Sequence, residues 1–268
     1  MGMDPGFHRG DDNAGMTEGK LTASGKSPTR RAWRRPLFNY RFRTMLNSDD
    51  IRRSPARWLD RAEYRLFCRR CRRPRTGCYC ALISPFESEP RFIILSQPRE
   101  AKHRLGTGRM AHLCLANSSL FEGVDFSDDK RVNREIHDPA NCPVLLYLSP
   151  SSINLTQQLW SERQTLFPGN RKVVVFVLDG TWKSVRKMLR SSQNLARLPK
   201  ICFDPPTPSA YRIRRELRPE CYSTIEAIHQ VIELLTPCLG YRDPFLPPHD
   251  NLLAVFRSVI DRQSTYTA

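Results

Sequence analysis

Residues 171–190, RKVVVFVLDGTWKSVRKMLR, constrain the fold of this chain more than any other stretch. Val173 to Leu178 are consecutive apolar residues, mostly β-branched and without alternation, which predicts a strand buried on both faces. The run stops abruptly at Asp179-Gly180-Thr181-Trp182. Beyond it, Trp182, Val185 and Leu189 fall at i, i+3 and i+7, a helical stripe that leaves Lys183, Arg186, Lys187 and Arg190 for the other face. A strand, a tight polar turn and a basic amphipathic helix follow one another, and in open α/β sheets ligands bind at the carboxyl end of such a strand. Gly180 lets the backbone approach a ligand, and Asp179 or Thr181 can cap a helix whose free N–H groups attract anions.

The chain after Pro90 repeats this alternation. Segments 91–96, 143–149, 172–179 and 200–204 are short, apolar and strand-like, and helical periodicity marks 107–120, 153–166, 182–198, 222–236 and 251–262. Strands alternating with helices predict an α/β domain with a mostly parallel sheet over 91–268. The Pro-rich stretches at 205–208 and 244–248 read as turns inside that domain. Residues 1–57, rich in Gly, Asp, Ser and Arg with no sustained period, read as a disordered basic leader.

Between them lies 58–90, where Cys68, Cys71, Cys78 and Cys80 fall within thirteen positions. Two close pairs across a short loop can set four thiolates around one tetrahedral zinc, and a small loop-rich segment gains folding energy from such a metal. The second pair is C-x-C, tighter than the usual knuckle; a redox pair or incidental thiols are the alternatives. Arg69, Arg70, Arg72, Arg73 and Arg75 stud this segment and suit a phosphate reader or a solvated charge run.

The net charge of +16 favours polyanions, nucleic acid or an acidic membrane face. No apolar run is long enough to span a bilayer, and the Arg-rich start has no apolar signal core. With nine cysteines, an odd number, the chain reads as cytoplasmic, with reduced thiols and an affinity for RNA or DNA.

Several further segments could carry chemistry. Tyr211-Arg212-Ile213-Arg214 alternates, putting Arg212 and Arg214 on one side as a guanidinium stripe for a phosphodiester backbone, or as a charged guard on an edge strand. Ser223 and Glu226 have capping-box spacing before a buried stripe of Ile225, Ile228, Ile232 and Leu235, so Glu226 reads as a cap. Leu105-Gly106-Thr107-Gly108-Arg109 lacks both the dinucleotide fingerprint and the P-loop lysine. His103, His112, His137, His229 and His249 are scattered singly, with no clear ligand spacing, and no G-x-S-x-G elbow exists.

Taken together the motifs resemble the DTW-domain proteins, the tRNA-uridine aminocarboxypropyltransferases. The family's Asp-x-Thr-Trp hallmark matches Asp179-Gly180-Thr181-Trp182, and its cysteine cluster looks like Cys68, Cys71, Cys78 and Cys80. Its Tyr-Arg-x-Arg-x-Glu segment matches Tyr211, Arg212, Arg214 and Glu216, and its Ser-Thr-x-Glu-Ala segment matches Ser223, Thr224, Glu226 and Ala227. Pro98, Glu100, Thr107, Gly108 and Arg109 match two further elements, with Gln97 in place of an expected histidine and Gly106 in place of an expected asparagine. The resemblance implies a SPOUT-like knotted carboxy-terminal half and S-adenosylmethionine as donor. The donor would sit at Leu148, Ser149, Leu178, Gly180, Thr181, Trp182, Tyr222, Ser223 and Thr224. It implies transfer of a 3-amino-3-carboxypropyl group to N3 of a tRNA uridine, with loss of 5′-methylthioadenosine. Asp179 is then the candidate general base or hydrogen-bond acceptor, or else a turn former, and Trp182 either stacks on a base or packs in the core. Arg109, Lys183, Arg186, Arg212 and Arg214 are the expected contacts to tRNA. A SPOUT-like RNA methyltransferase and a non-catalytic zinc RNA-binding protein are the alternatives.

Overall fold

In the computed structural model, which describes residues 66–101, 106–211, 221–239 and 247–267, the apolar run forms a strand with a hydrogen-bonded neighbour on each side. The strands in chain order are β1 (Arg91–Ser96), β2 (Ser119–Glu122), β3 (Asn141–Leu146), β4 (Ile153–Asn154), β5 (Lys172–Asp179) and β6 (Lys200–Cys202). They make one sheet ordered β2-β1-β5-β3-β6-β4, and every neighbouring pair is parallel. Helices α1 (Pro98–Ala101), α2 (Thr107–Cys114), α3 (Lys130–His137), α4 (Trp160–Thr165), α5 (Trp182–Ser191) and α6 (Gln193–Ala196) lie along the connections, and α7 (Thr224–Leu235) and α8 (Asp250–Thr267) follow β6. The α/β class with a parallel sheet is therefore as the sequence indicates.

The unbroken apolar run of β5 has its reason in two cores. Val173, Val175 and Val177 join Phe92 and Ile94 of β1 in a cluster with Met110 and Ala111 of α2, Ile228 and Val231 of α7, and Val255 and Phe256 of α8. The alternate residues Val174, Phe176 and Leu178 join Ile93 and Leu95 in a second cluster with Val132 of α3, Val185 and Met188 of α5, and Leu195 of α6. Period-two alternation thus hands successive side chains to opposite helical layers, so neither face can be polar. Cys71 and Tyr79 belong to the first cluster, so the cysteine segment shares the core of the sheet.

Several element boundaries differ from the periodicity. The 107–120 helix stops at Cys114, because Leu115 turns extended and bridges Phe86; β2 starts four residues later. The 182–198 helix breaks at Ser192, whose buried hydroxyl accepts from the Phe126 N–H at 3.0 Å. The strand expected at 143–149 runs over Asn141–Leu146, because Ser152 donates to the Tyr147 carbonyl at 2.7 Å and closes a turn over 147–152. Segment 153–166 splits into β4 and α4, and the 200–204 strand ends at Cys202. Helix α3 has only Val132 buried and carries no apolar stripe to announce it; its signal is Asp129, which caps it by accepting from the Arg131 and Val132 N–H groups. The leader at 1–57 and the Arg212 to Glu216 segment lie outside the described residues.

Candidate functional site

Parallel register places the key carboxylate. Ser96, the last residue of β1, is paired with Asp179, the last residue of β5, so their side chains share a face of the sheet. That face is the one covered by α2 and α7. The Ser96 hydroxyl donates to Asp179 Oδ2 at 2.7 Å, and the hydroxyl of Thr224, first residue of α7, donates to Oδ1 at 2.6 Å. A third donor is the backbone N–H of Gly108 in the first turn of α2. Asp179 is 4% exposed. Burial raises its pKa above the usual carboxylate range, and the Thr224, Ser96 and Gly108 donors oppose that rise without cancelling it.

Gly108 is required by this approach. A Cβ there would stand 2.6 Å from Asp179 Cγ and Oδ2, closer than side-chain carbons come. Two elements therefore bring helix N-termini to one carboxylate: α2 through Gly108 and α7 through Thr224. Helix α5 starts beside them. Thr181 rather than Asp179 is its cap, accepting from the Ser184 N–H at 3.2 Å. Gly180 lies against Ser184 and Gln97, where a Cβ would meet the Ser184 Cβ at 3.3 Å. Gln97 Oε1 accepts from the N–H groups of Arg99 and Glu100, capping α1 from the carboxyl end of β1.

Trp182 corrects the expected stripe. It is 42% exposed, and its indole N–H points to Cys221 Sγ at 3.3 Å; the buried face of α5 is Val185 and Met188. A first-turn side chain leans back over the turn preceding its helix, so Trp182 lies towards the polar loop and off the sheet. Among the other expected donor-site residues, Leu148 is 64% exposed and Ser149 half-buried just beyond β3, while Leu178 turns into the second core. The Tyr222 ring packs on Phe203 at 5.7 Å, and its hydroxyl donates to the Thr207 carbonyl at 2.9 Å. Ser223 is occupied by its capping box: its N–H and hydroxyl both donate to Glu226 Oε2, at 2.8 and 2.6 Å. Glu226 also accepts from Ser209 Oγ and the Ala210 N–H, fixing the loop that leads into Tyr211.

The basic residues divide. Lys183, Arg186, Lys187 and Arg190 are exposed along α5, whereas Arg109 is 15% exposed and donates to Glu122 Oε1 at 3.0 Å, an oxygen it shares with Arg72 at 2.8 Å. Arg109 braces α2, β2 and the cysteine segment; an expectation of a free guanidinium there is not met.

In the cysteine segment, the Cys68 N–H donates to Arg73 O at 2.7 Å and the Arg72 N–H to Cys68 O at 2.8 Å, a knuckle turn with Arg72 at φ 56°. Sγ–Sγ distances are 3.7 Å for Cys68–Cys80 and 3.7 Å for Cys71–Cys78, and all four sulfurs lie within 4.8 Å of one another. Thiolates at the Zn–S bond length would stand about 3.8 Å apart in a tetrahedron. The four thiols are free and fit a zinc ion. The Cys71 backbone N–H brings the Cys68 thiol down to about 6, while burial pushes the Cys71 and Cys80 thiols up. A divalent cation is what would offset that burial.

A second cluster went unseen in the sequence. His229 and Glu233 of α7 meet His249 and Asp250 at the start of α8, with one donor atom from each within 4.8 Å. The signal available was the i, i+4 spacing of His229 and Glu233; the pairing with His249 is tertiary and leaves no local trace. No described helix is long and apolar enough to cross a membrane.

A family model described as the DTW domain matches residues 65–264. Among curated relatives, tRNA-uridine aminocarboxypropyltransferase 2 of Drosophila melanogaster is 29% identical over 175 residues, covering 63% of this chain and 66% of that protein. The tRNA-uridine aminocarboxypropyltransferase A of Arabidopsis thaliana is 24% identical over 229 residues, covering 75% and 82%. The Mus musculus tRNA-uridine aminocarboxypropyltransferase 2 is 25% identical over 182 residues, covering 66% and 59%. The matches thus span a little under two thirds of the fly and mouse relatives. No solved structure gives a significant match.

Proposed function

The chain belongs to the DTW-domain family, and on that premise we propose that it transfers the 3-amino-3-carboxypropyl group of S-adenosylmethionine to N3 of a uridine in tRNA, releasing 5′-methylthioadenosine. The observation that carries the reading is the Asp179 carboxylate, buried at the end of the central strand and bound by hydroxyls from β1 and α7 within the family's own motif. The names of the relatives support the same substrate and the same transferred group. The knotted, SPOUT-like path of the carboxy-terminal half and a cytoplasmic location belong to this reading as well.

The donor would be held by the loops at the carboxyl ends of β3 and β5 and the mouth of α7. Exposed Leu148 and Trp182 offer apolar and aromatic surface for an adenosine, beside polar Ser149, Thr181 and Thr224. The helix N-termini gathered there favour an anion such as the donor's carboxylate. A sulfonium donor supplies activated carbons on each side of sulfur, so orientation alone decides which group moves; the site must hold the γ-methylene, not the methyl, in line with N3.

Uridine N3 carries a proton at neutral pH that the attack must displace. Asp179 is too deeply buried to reach a base directly, whereas Thr224, whose hydroxyl donates to it, is only half-buried. The Thr224 hydroxyl takes the N3 proton while passing its own to Asp179 Oδ1, leaving the carboxylate neutral and N3 nucleophilic. The raised pKa of Asp179 suits this, since a carboxyl well below neutral pH is a weak acceptor. Lys183 and Arg186 on the exposed face of α5 are the phosphate contacts beside the site; Arg212 and Arg214 complete the proposed set, and Arg109 would have to leave Glu122 to join it. The four cysteines hold zinc as a structural brace for the segment that packs against α2 and α8.

Incubation of the chain with tRNA and the donor tests this reading. Methylthioadenosine is the expected co-product. S-adenosylhomocysteine would instead identify a methyltransferase, and unconsumed donor with retained tRNA affinity would identify a binding protein.

A further inference from the structure

We propose that His229, Glu233, His249 and Asp250 form a second metal site, for a borderline divalent ion of the zinc type, that clamps α8 to α7. The four residues come from α7 and from the start of α8 with the turn just ahead of it, in a crossed arrangement. His229 Nε2 of α7 faces Asp250 Oδ1 of α8 at 3.2 Å, and His249 Nε2, just ahead of α8, faces Glu233 Oε1 of α7 at 2.5 Å. One donor atom from each lies within 4.8 Å of all the others, and the two imidazole rings stand 5.0 Å apart with a 54° tilt.

Helix α7 therefore supplies one nitrogen and one oxygen to a common point, and α8 with the residue just ahead of it supplies another of each. The imidazoles are largely covered, 13% and 12% exposed, while the carboxylates reach it from the solvent side at 46% and 65%. Two carboxylates held this close repel each other, and a divalent cation between them removes that cost. Two imidazole nitrogens select zinc, cobalt or nickel over magnesium and calcium, which prefer all-oxygen shells. Four protein donors leave no open position, so the ion is structural.

The place of the site gives it consequence. The backbone at 247–252 turns on hydrogen bonds from Asp250 N to Pro247 O and from Leu252 N to His249 O, which sets His249 and Asp250 side by side. The next residue, Asn251, clasps the cysteine segment by donating to Leu82 O at 3.0 Å and accepting from the Ser84 N–H at 3.1 Å. Helix α7, whose first residue holds Asp179, is thereby tied through α8 to the cysteine segment.

Cobalt titration of the full-length, metal-stripped chain separates this site from the cysteines. The first expected equivalent brings thiolate-to-cobalt charge transfer. A second equivalent then adds visible ligand-field absorption without raising the charge-transfer band. In His249→Gln and in Glu233→Gln, each expected to keep the charge-transfer band as a built-in check of folding, that second increment is lost. Saturation of the native chain at one equivalent would overturn the site and leave two histidine–carboxylate hydrogen bonds in its place. A second increment that survives in both variants would overturn it too.

Discussion

Gly108→Ala tests the close approach at the heart of the site. The new Cβ would lie 2.6 Å from Asp179 Cγ and Oδ2, roughly 0.8 Å inside ordinary contact. Neither partner can yield cheaply: Gly108 is in the first turn of α2, and Asp179 is anchored by Ser96 and Thr224. Relief by moving the carboxylate stretches hydrogen bonds to a charged group, each worth about 1.5–3 kcal/mol. Relief by moving α2 costs about 1–3 kcal/mol of repacking. Alanine returns at most about 1 kcal/mol of helix propensity. The net expected loss is about 2 kcal/mol, or roughly 4–8 °C in Tm for a domain of this size. Urea denaturation of four proteins (native, Gly108→Ala, Asp179→Ala and the double variant) reads it as a cycle. With the carboxylate gone, most of the Gly108→Ala penalty should vanish, giving a coupling of about 1–2 kcal/mol. An equal penalty in both backgrounds, or none in either, would refute the argument.

Other outcomes follow from the same geometry. Asp179→Ala and Thr224→Val should each abolish transfer while the chain stays folded by circular dichroism; undiminished turnover in either removes that residue from the proton path. Because burial raises the folded-state pKa of Asp179 above its unfolded value, its native state holds the proton more tightly, and stability is lost as pH rises from the ordinary carboxylate range through the raised value. Asp179→Asn cannot ionise, so native and variant urea midpoints should diverge with rising pH in that window, the native falling relative to the variant; parallel profiles would contradict the assignment. Cys68→Ser should lose one zinc by elemental analysis and lower the Tm; a native chain with no zinc at all would remove the cysteine site. Lys183→Ala with Arg186→Ala should weaken tRNA binding and lower the salt slope by about 1–2; an unchanged slope moves the RNA face elsewhere.

How far the sequence could be read depended on whether a feature is local or tertiary. The central strand was legible because burial on both faces leaves an unbroken apolar run, and β1 and β5 lie where that signal placed them. The Glu226 cap was legible because a capping box is a spacing of three. The place of Trp182 in the buried stripe does not hold, because periodicity treats a helix as uniform, whereas a first-turn side chain points over the preceding loop. β2, a half-exposed edge strand, has no alternation to betray it, and the break at Ser192 depends on a donor, the Phe126 N–H, that lies far along the chain. The Asp179 motif announced a site, yet its partners Ser96, Gly108 and Thr224 come from three distant segments that only the parallel register and the helix ends bring together. The family resemblance makes Arg109 an expected tRNA contact, but a motif match does not reveal that Glu122 has already engaged it.

The most direct measurement is the mass of the nucleosides in tRNA digested after incubation with the chain and S-adenosylmethionine. The account predicts a uridine heavier by one aminocarboxypropyl group, attached at N3 and absent when Asp179 is alanine. A uridine heavier by a methyl group, or tRNA returned unchanged by folded chain that retains its zinc, would contradict it.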